Sequence, residues 1–120
     1  MRVAIIGAAG MIGRKLAERI VVTGEVGGHK VDAMTLIDVI LPEVAANFAG
    51  LRDSFVADVS EPGVATRVIS GRPELIVHLA AIVSGEAETD MAKGYRVNLE
   101  GTHALLQAIA AVDGYHPRVI

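Results

Sequence analysis

The run Val3-Ala4-Ile5-Ile6-Gly7-Ala8-Ala9-Gly10-Met11-Ile12-Gly13 decides how the rest of the chain is read. Its first four residues form a short apolar, largely β-branched stretch, the pattern of a strand buried on both faces, and Gly7 bounds it. From Met11 onward the apolar positions Ile12, Leu16 and Ile20 recur every four residues. Arg14, Lys15, Glu18 and Arg19 stand between them, which predicts an amphipathic helix ending near Gly24. A strand therefore runs through glycines into a helix. The spacing GxxGxxG in that position suits a turn that cradles phosphate. Gly7 permits the sharp exit from the strand, Gly10 admits a close approach to backbone, and Gly13 lets the helix pack tightly on the sheet. The unpaired N–H groups of the first helical turn, at Met11 and Ile12, favour an anion without any basic side chain. A P-loop would need Lys followed by Ser or Thr after its last glycine, and Arg14-Lys15 stands there instead. A Gly/Ala turn used only for packing is the competing reading.

Outward from this turn, strands and helices alternate. Residues 24–32 hold three glycines and several polar residues, which predicts a loop. Residues 33–39 (AMTLIDV) read as a second strand, and Pro42 then breaks the chain. Residues 54–59 (SFVADV) read as a third strand, 62–70 as a short helix and 74–80 (ELIVHLA) as a fourth strand. Asn98, Thr102, Leu105, Ile109 and Val112 follow a 4,3,4,3 spacing that predicts one long helix over 91–112, ended by Gly114. Residues 118–120 resemble the start of a fifth strand. The alternation predicts an α/β fold, a parallel, right-handed, doubly wound sheet in the order 3-2-1-4-5.

Composition narrows the function classes. The chain has 120 residues, 52% of them apolar, which suits a single folded domain over residues 1–120 and excludes disorder. Net charge is −3 and no basic run exceeds Arg14-Lys15, so neither nucleic acid nor an anionic membrane is an expected partner. Aromatic residues make up only 3% of the chain, too few for a base-stacking platform. With no Cys, disulfides and thiolate chemistry are excluded, and a reducing cytoplasmic setting is compatible. No apolar stretch reaches the roughly 18 residues of a membrane-spanning helix, so the chain reads as soluble. His29, His78, His103 and His116 show no paired ligand spacing, and the acids at 86, 88 and 90 read as a solvated loop, so no metal site is expected.

A doubly wound sheet of this kind calls for an acid at the end of strand two, where it accepts hydrogen bonds from an adenosine ribose. Asp38 occupies that place and would repel a 2′-phosphate, favouring NAD over NADP. It lies farther along the chain than the usual offset of about 20 residues, which the loop over 24–32 accounts for. Asp32, the rival acid, precedes the strand.

Several segments together resemble the extended short-chain dehydrogenase/reductases, the NAD-dependent epimerase/dehydratase family, over essentially the whole chain. They are the glycine turn at Gly7, Gly10 and Gly13, the pair Asp58-Val59 after strand three, the stretch Val77-His78-Leu79-Ala80-Ala81, and Asn98-Leu99-Glu100-Gly101-Thr102. The resemblance implies a three-layer Rossmann-like sheet and NAD as cofactor. It also implies adenine contacts from Asp58 and Val59, and a cofactor wall from Leu79, Ala80 and Ala81. Asn98 joins the cofactor-binding candidates, although an amide inside an apolar stripe suits a tether behind the site better. Ser84 is the candidate substrate contact, with the capping of a turn as its alternative. Residues 78–88 (HLAAIVSGEAE) look most like family members that oxidise a four-carbon sugar acid.

The catalytic Tyr with Lys four positions on is missing. Tyr95 is followed there by Leu99 and Tyr115 by Val119, so neither tyrosine has an ammonium one helical turn away. No catalytic residue is therefore expected. The chain reads as the truncated, cofactor-binding front of an oxidoreductase on a small sugar-acid substrate, with negligible hydride transfer by itself. A nucleoside-diphosphate-sugar epimerase or dehydratase, and a non-catalytic dinucleotide-binding module, are the alternatives. An unfinished fifth strand also leaves an edge that another chain, a second copy included, can extend.

Overall fold

Strand β1 (Arg2–Ile6) lies at the centre of the molecule, and Val3, Ala4, Ile5 and Ile6 are each at most 1% exposed. The computed structural model describes residues 1–43 and 47–120, and of Ser84 the backbone alone. Because side chains alternate across a strand, β1 feeds two separate cores. Val3 and Ile5 join Ala17 and Ile20 of helix α1 (Met11–Thr23) on one face, while Ala4 and Ile6 join Val68, Ile69 and Leu105 on the other. The neighbouring strands divide in the same way. In β4 (Ala33–Asp38), Met34 and Leu36 face α1 and Ile37 faces away; in β6 (Leu75–His78), Leu75 and Val77 face α1 and Ile76 faces away. Register aligns the layers, pairing Ile5 with Leu36 on one side and with Val77 on the other.

The main sheet has five strands, with β5 (Leu51–Val56) beyond β4 and β7 (Arg118–Val119) beyond β6, all pairings parallel. In chain order of the five main strands this is 3-2-1-4-5, as the alternation predicts. Helix α2 (Val64–Ser70) and helix α5 (Thr102–Ala110) cover the face opposite α1. No described helix is long and apolar enough to cross a membrane.

Several predicted boundaries move. The loop predicted over 24–32 contains a small antiparallel hairpin of β2 (Glu25–Val26) and β3 (His29–Lys30). Its turn is Gly27-Gly28, both at positive φ (57° and 78°), the backbone that two-residue hairpins require. Strand β5 begins three residues earlier than predicted and ends at Val56, so Asp58 and Val59 lie in the loop beyond it. Its first half, Leu51-Arg52-Asp53, is exposed because β5 is an edge strand, and an edge tolerates charge that hides the strand pattern. Helix α3 (Ser84–Thr89), which the sequence does not announce, follows β6. The predicted helix over 91–112 runs as α4 (Met91–Tyr95), a π-wound segment (Arg96–Gly101) and α5, ending at Ala110. Gly114 instead closes the turn beyond it, at φ +65°.

Helix α1 reaches the sheet through Gly7 and Gly13. A Cβ on Gly13 would stand 2.2 Å from the Gly7 carbonyl oxygen, and one on Gly7 would stand 2.6 Å from the Ala80 nitrogen. Both contacts are with backbone, which cannot rotate away. Gly7 also sits at φ +89°. Gly13→Ala is therefore expected to lower the unfolding free energy by about 2–4 kcal/mol in urea titration, whereas exposed Lys15→Ala should change it by less than about 0.5 kcal/mol.

His78 supplies a pH dependence. Its Nε2 lies 3.0 Å from the Thr102 hydroxyl, which itself donates to the Asn98 carbonyl oxygen at 3.2 Å. The hydroxyl therefore accepts from Nε2–H, and Nδ1 is left buried without a partner among the described residues. Burial holds the imidazole below its ordinary value of 6.5. The unfolded chain consequently takes up the proton first, so this contribution to stability is complete above 6.5 and is lost as pH falls below it. Melting temperature should drop as pH falls from about 6.5 to 5.5, before carboxylates titrate, and the drop should shrink in His78→Gln.

Candidate functional site

The carboxyl ends of β1, β4, β5 and β6 open onto a crevice of about 460 Å³, within the range of small-molecule sites. A larger hollow of about 680 Å³ lies at the opposite end of the strands, among Met1, Val26, His29, Glu74 and Arg118, and contains none of the candidate residues. The crevice spans the boundary between β1 and β6, where the strand order reverses, the place where doubly wound sheets hold their ligands.

Each wall comes from one strand exit. The Gly7 and Ala8 N–H groups both donate to the Ile37 carbonyl oxygen, at 2.8 and 3.1 Å, which turns the chain sharply out of β1. Gly10 then caps α1 with extended backbone (φ −68°, ψ 167°), and no side chain caps that helix end. Gly10 differs from its two companions. A Cβ there would meet only the Gly7 carbonyl oxygen, at 3.3 Å, a tight contact that a shift of a few tenths of an ångström relieves, and the position lines the crevice. Met11 and Ile12 follow at the solvent end of the same turn, 66% and 61% exposed.

Asp38 closes the second wall. One carboxylate oxygen accepts the Ala9 N–H at 2.8 Å and the other accepts the Val39 N–H at 2.7 Å, so the side chain ties the end of β4 to the glycine turn. Both oxygens keep lone pairs for further donors. Val39 and Ile40 follow on the crevice lining, more than half exposed; the sequence shows them only as an apolar strand end running one residue past the acid.

Asp58 stands at the third exit. Burial pushes its carboxyl upward, but the Ser60 hydroxyl and N–H, at 2.6 and 2.9 Å, with the Arg96 and Lys93 charges, outweigh burial and hold it below the ordinary carboxylate range. Val59 beside it is buried, and both line the crevice. Leu79, Ala80 and Ala81 form the fourth wall with Ile82.

Asn98 stands behind that wall. Its amide oxygen accepts the Ile82 N–H at 2.7 Å and its amide nitrogen donates to the Ile82 carbonyl oxygen at 2.9 Å, a two-bond clamp. Asn98 lies in the π-wound segment and is exposed rather than core, whereas Leu105 of the same predicted stripe is fully buried. The site thus gathers Gly7, Gly10, Asp38, Asp58, Val59, Leu79, Ala80 and Ala81, with Gly13 buried beneath the turn. The Ser84 side chain lies outside the described residues. Lys93 of α4 also lines the crevice, a residue that sequence spacing alone does not single out.

Tyr95 is exposed, and the Tyr115 hydroxyl donates to the Pro73 carbonyl oxygen at 2.7 Å on the far side of the sheet. Burial, slightly offset by Arg72, raises the Tyr115 hydroxyl above its ordinary value. Neither tyrosine is placed for proton transfer in the crevice.

Comparison with known proteins agrees with this geometry. The family model described as the NAD dependent epimerase/dehydratase family matches residues 3–119. D-erythronate dehydrogenase of Cupriavidus necator is 38% identical over 128 aligned residues, covering 100% of this chain and 37% of that protein. The crystal structure of a nucleoside-diphosphate-sugar epimerase from Agrobacterium tumefaciens superposes with a TM-score of 0.94 at 56% identity, over 99% of this chain and 36% of that one. The Thermus thermophilus UDP-glucose 4-epimerase, solved with NAD, gives a TM-score of 0.68 at 27% identity, over 90% of this chain and 33% of that one. The chain thus spans little more than a third of the length of these relatives. A glycine turn that seats a helix on β1, an acid pinned at the end of β4 and a family match over nearly every residue lead to one conclusion: the chain belongs to the NAD dependent epimerase/dehydratase family.

Proposed function

We propose that residues 1–120 bind NAD in the crevice and form the amino-terminal, cofactor-binding portion of an oxidoreductase that acts on a hydroxyl of a small sugar acid such as D-erythronate. Gly10 carries this reading. At Gly7 and Gly13 a Cβ would stand 2.6 and 2.2 Å from backbone, whereas at Gly10 its single contact is 3.3 Å and the position lines the crevice, where a glycine lets a ligand approach the turn closely. The uncapped N–H groups of Met11, Ile12 and Gly13 would take the pyrophosphate, and the pinned carboxylate of Asp38 would accept the adenosine ribose hydroxyls. Asp58 and Val59 would meet the adenine, with Leu79, Ala80 and Ala81 walling the remainder and Asn98 holding that wall through Ile82. Ser84 is assigned to the substrate side. The chemistry NAD supplies when bound is hydride acceptance.

The sugar-acid substrate rests on the 38% identity to D-erythronate dehydrogenase. The 56% identity to a nucleoside-diphosphate-sugar epimerase supports a second reading, in which the substrate is a sugar nucleotide. In both, the general base lies outside residues 1–120, and this polypeptide alone transfers hydride negligibly. Cytoplasmic residence suits a chain without cysteine.

Calorimetric titration with NAD and NADP tests the cofactor. Binding of NAD at least tenfold tighter than NADP is expected, because Asp38 opposes a 2′-phosphate. Gly10→Val should keep the wild-type melting temperature within about 3 °C and weaken NAD at least tenfold. Equal binding of NAD by Gly10→Val, or no binding by the wild type at millimolar ligand, would overturn the reading.

A further inference from the structure

Of the described residues lining the crevice, Lys93 alone carries a positive charge. Its Nζ does not lie free. It donates to Glu86 Oε1 at 2.5 Å, joining α4 to α3, while its backbone N–H donates to Asp90 Oδ1 at 2.9 Å and caps α4. The lysine backbone is therefore fixed and only the ammonium has an alternative partner to find. The Glu86 bond raises the ammonium above its ordinary value, so it stays protonated throughout neutral pH.

We infer that Lys93 is a nucleotide-binding residue held in reserve: it leaves Glu86 for a phosphate oxygen when an adenine dinucleotide enters the crevice. The charges around it favour the exchange. Asp38 and Asp58 also line the crevice, so a dianionic pyrophosphate there has two like charges against it and only helix α1 and this ammonium in its favour. Both members of the ion pair are open to solvent, at 39% and 48% side-chain exposure, and an exposed pair contributes little to stability. A charge-assisted bond to phosphate in a partly enclosed crevice is the stronger one. Arg96, one turn along and close enough to influence Asp58, does not line the crevice and is not the alternative donor. The exchange also frees Glu86, and with it α3, which leads directly from the wall at Leu79–Ile82.

This inference rests on the dinucleotide reading, and the experiment separates the two. NAD, ADP and adenosine are titrated calorimetrically into the wild type, Lys93→Met, Lys93→Arg and Glu86→Gln. Lys93→Met, which keeps the apolar stem, should weaken NAD and ADP about tenfold and leave adenosine within about twofold, since adenosine has no phosphate. Lys93→Arg should retain binding, Glu86→Gln should tighten NAD about threefold, and the salt dependence of NAD binding should be shallower in Lys93→Met. Unaltered NAD binding in Lys93→Met overturns the role of Lys93 alone, and so does an equal loss of adenosine, which marks a structural defect. Failure of the wild type to bind NAD overturns the dinucleotide reading and this inference with it.

Discussion

Gly13 approaches the preceding turn so closely that its Cα has room for nothing beyond hydrogen, the Gly7 carbonyl oxygen occupying the place of a side chain. That contact seats α1 on the sheet. It brings Ala17 and Ile20 into the cluster built by Val3, Ile5, Met34 and Leu36, and it aims the amino end of the helix across the carboxyl ends of the strands. Gly7 is held from the other side, because the backbone at Leu79 and Ala80 passes immediately against it. One packing constraint thus fixes the positions of β1, α1 and the exit of β6 together. Two walls of the crevice, the glycine turn and the exit at Leu79–Ala80, are thereby spaced by the core.

What the sequence reveals follows from how strongly burial constrains it. The central strands β1, β4 and β6 are covered on both faces, so they read as continuous apolar runs, and the glycine turn between β1 and α1 fixes their order. Leu51-Arg52-Asp53 stays hidden because an edge strand meets solvent and its ladder places no demand on side chains. The hairpin at Gly27-Gly28 is two residues long on each side, too short for any alternation, and only the glycine pair marks it. The π winding at Arg96–Gly101 leaves no periodic trace at all, since a continuous 3.6-residue pattern fits the flanking helices equally well. The site divides in the same manner. Gly7, Gly10 and Asp38 announce themselves by position relative to a strand, whereas Lys93 enters the crevice from a helix distant in sequence.

The electrostatics of the crevice are sparse and therefore legible. Among the described residues, two carboxylates, an uncapped helix end and one ammonium face the same space. Each carboxylate is already engaged, Asp38 by two backbone N–H groups and Asp58 by Ser60, so their orientations are set before any ligand arrives. Pre-set acceptors favour ligands rich in hydroxyl and amino groups, and the same charges reject an additional phosphate beside them. The uncapped helix end favours an anion without contributing a side chain.

The wall formed by Leu79 to Ile82 begins on the ladder, the Leu79 N–H donating to the Ile6 carbonyl oxygen of β1 at 2.7 Å, and a side chain holds its far end. Asn98 replaces a neighbouring strand by pairing with both backbone groups of Ile82. Thr102 receives the Nε2–H of His78 and donates to the Asn98 carbonyl oxygen, so strand β6, the π segment and the wall form one connected series. The orientation of that series depends on a neutral imidazole, because a second proton on the buried Nδ1 would find no acceptor among the described residues. Asn98 sits within the π-wound turn between α4 and α5, so the clamp on the wall is carried by that segment.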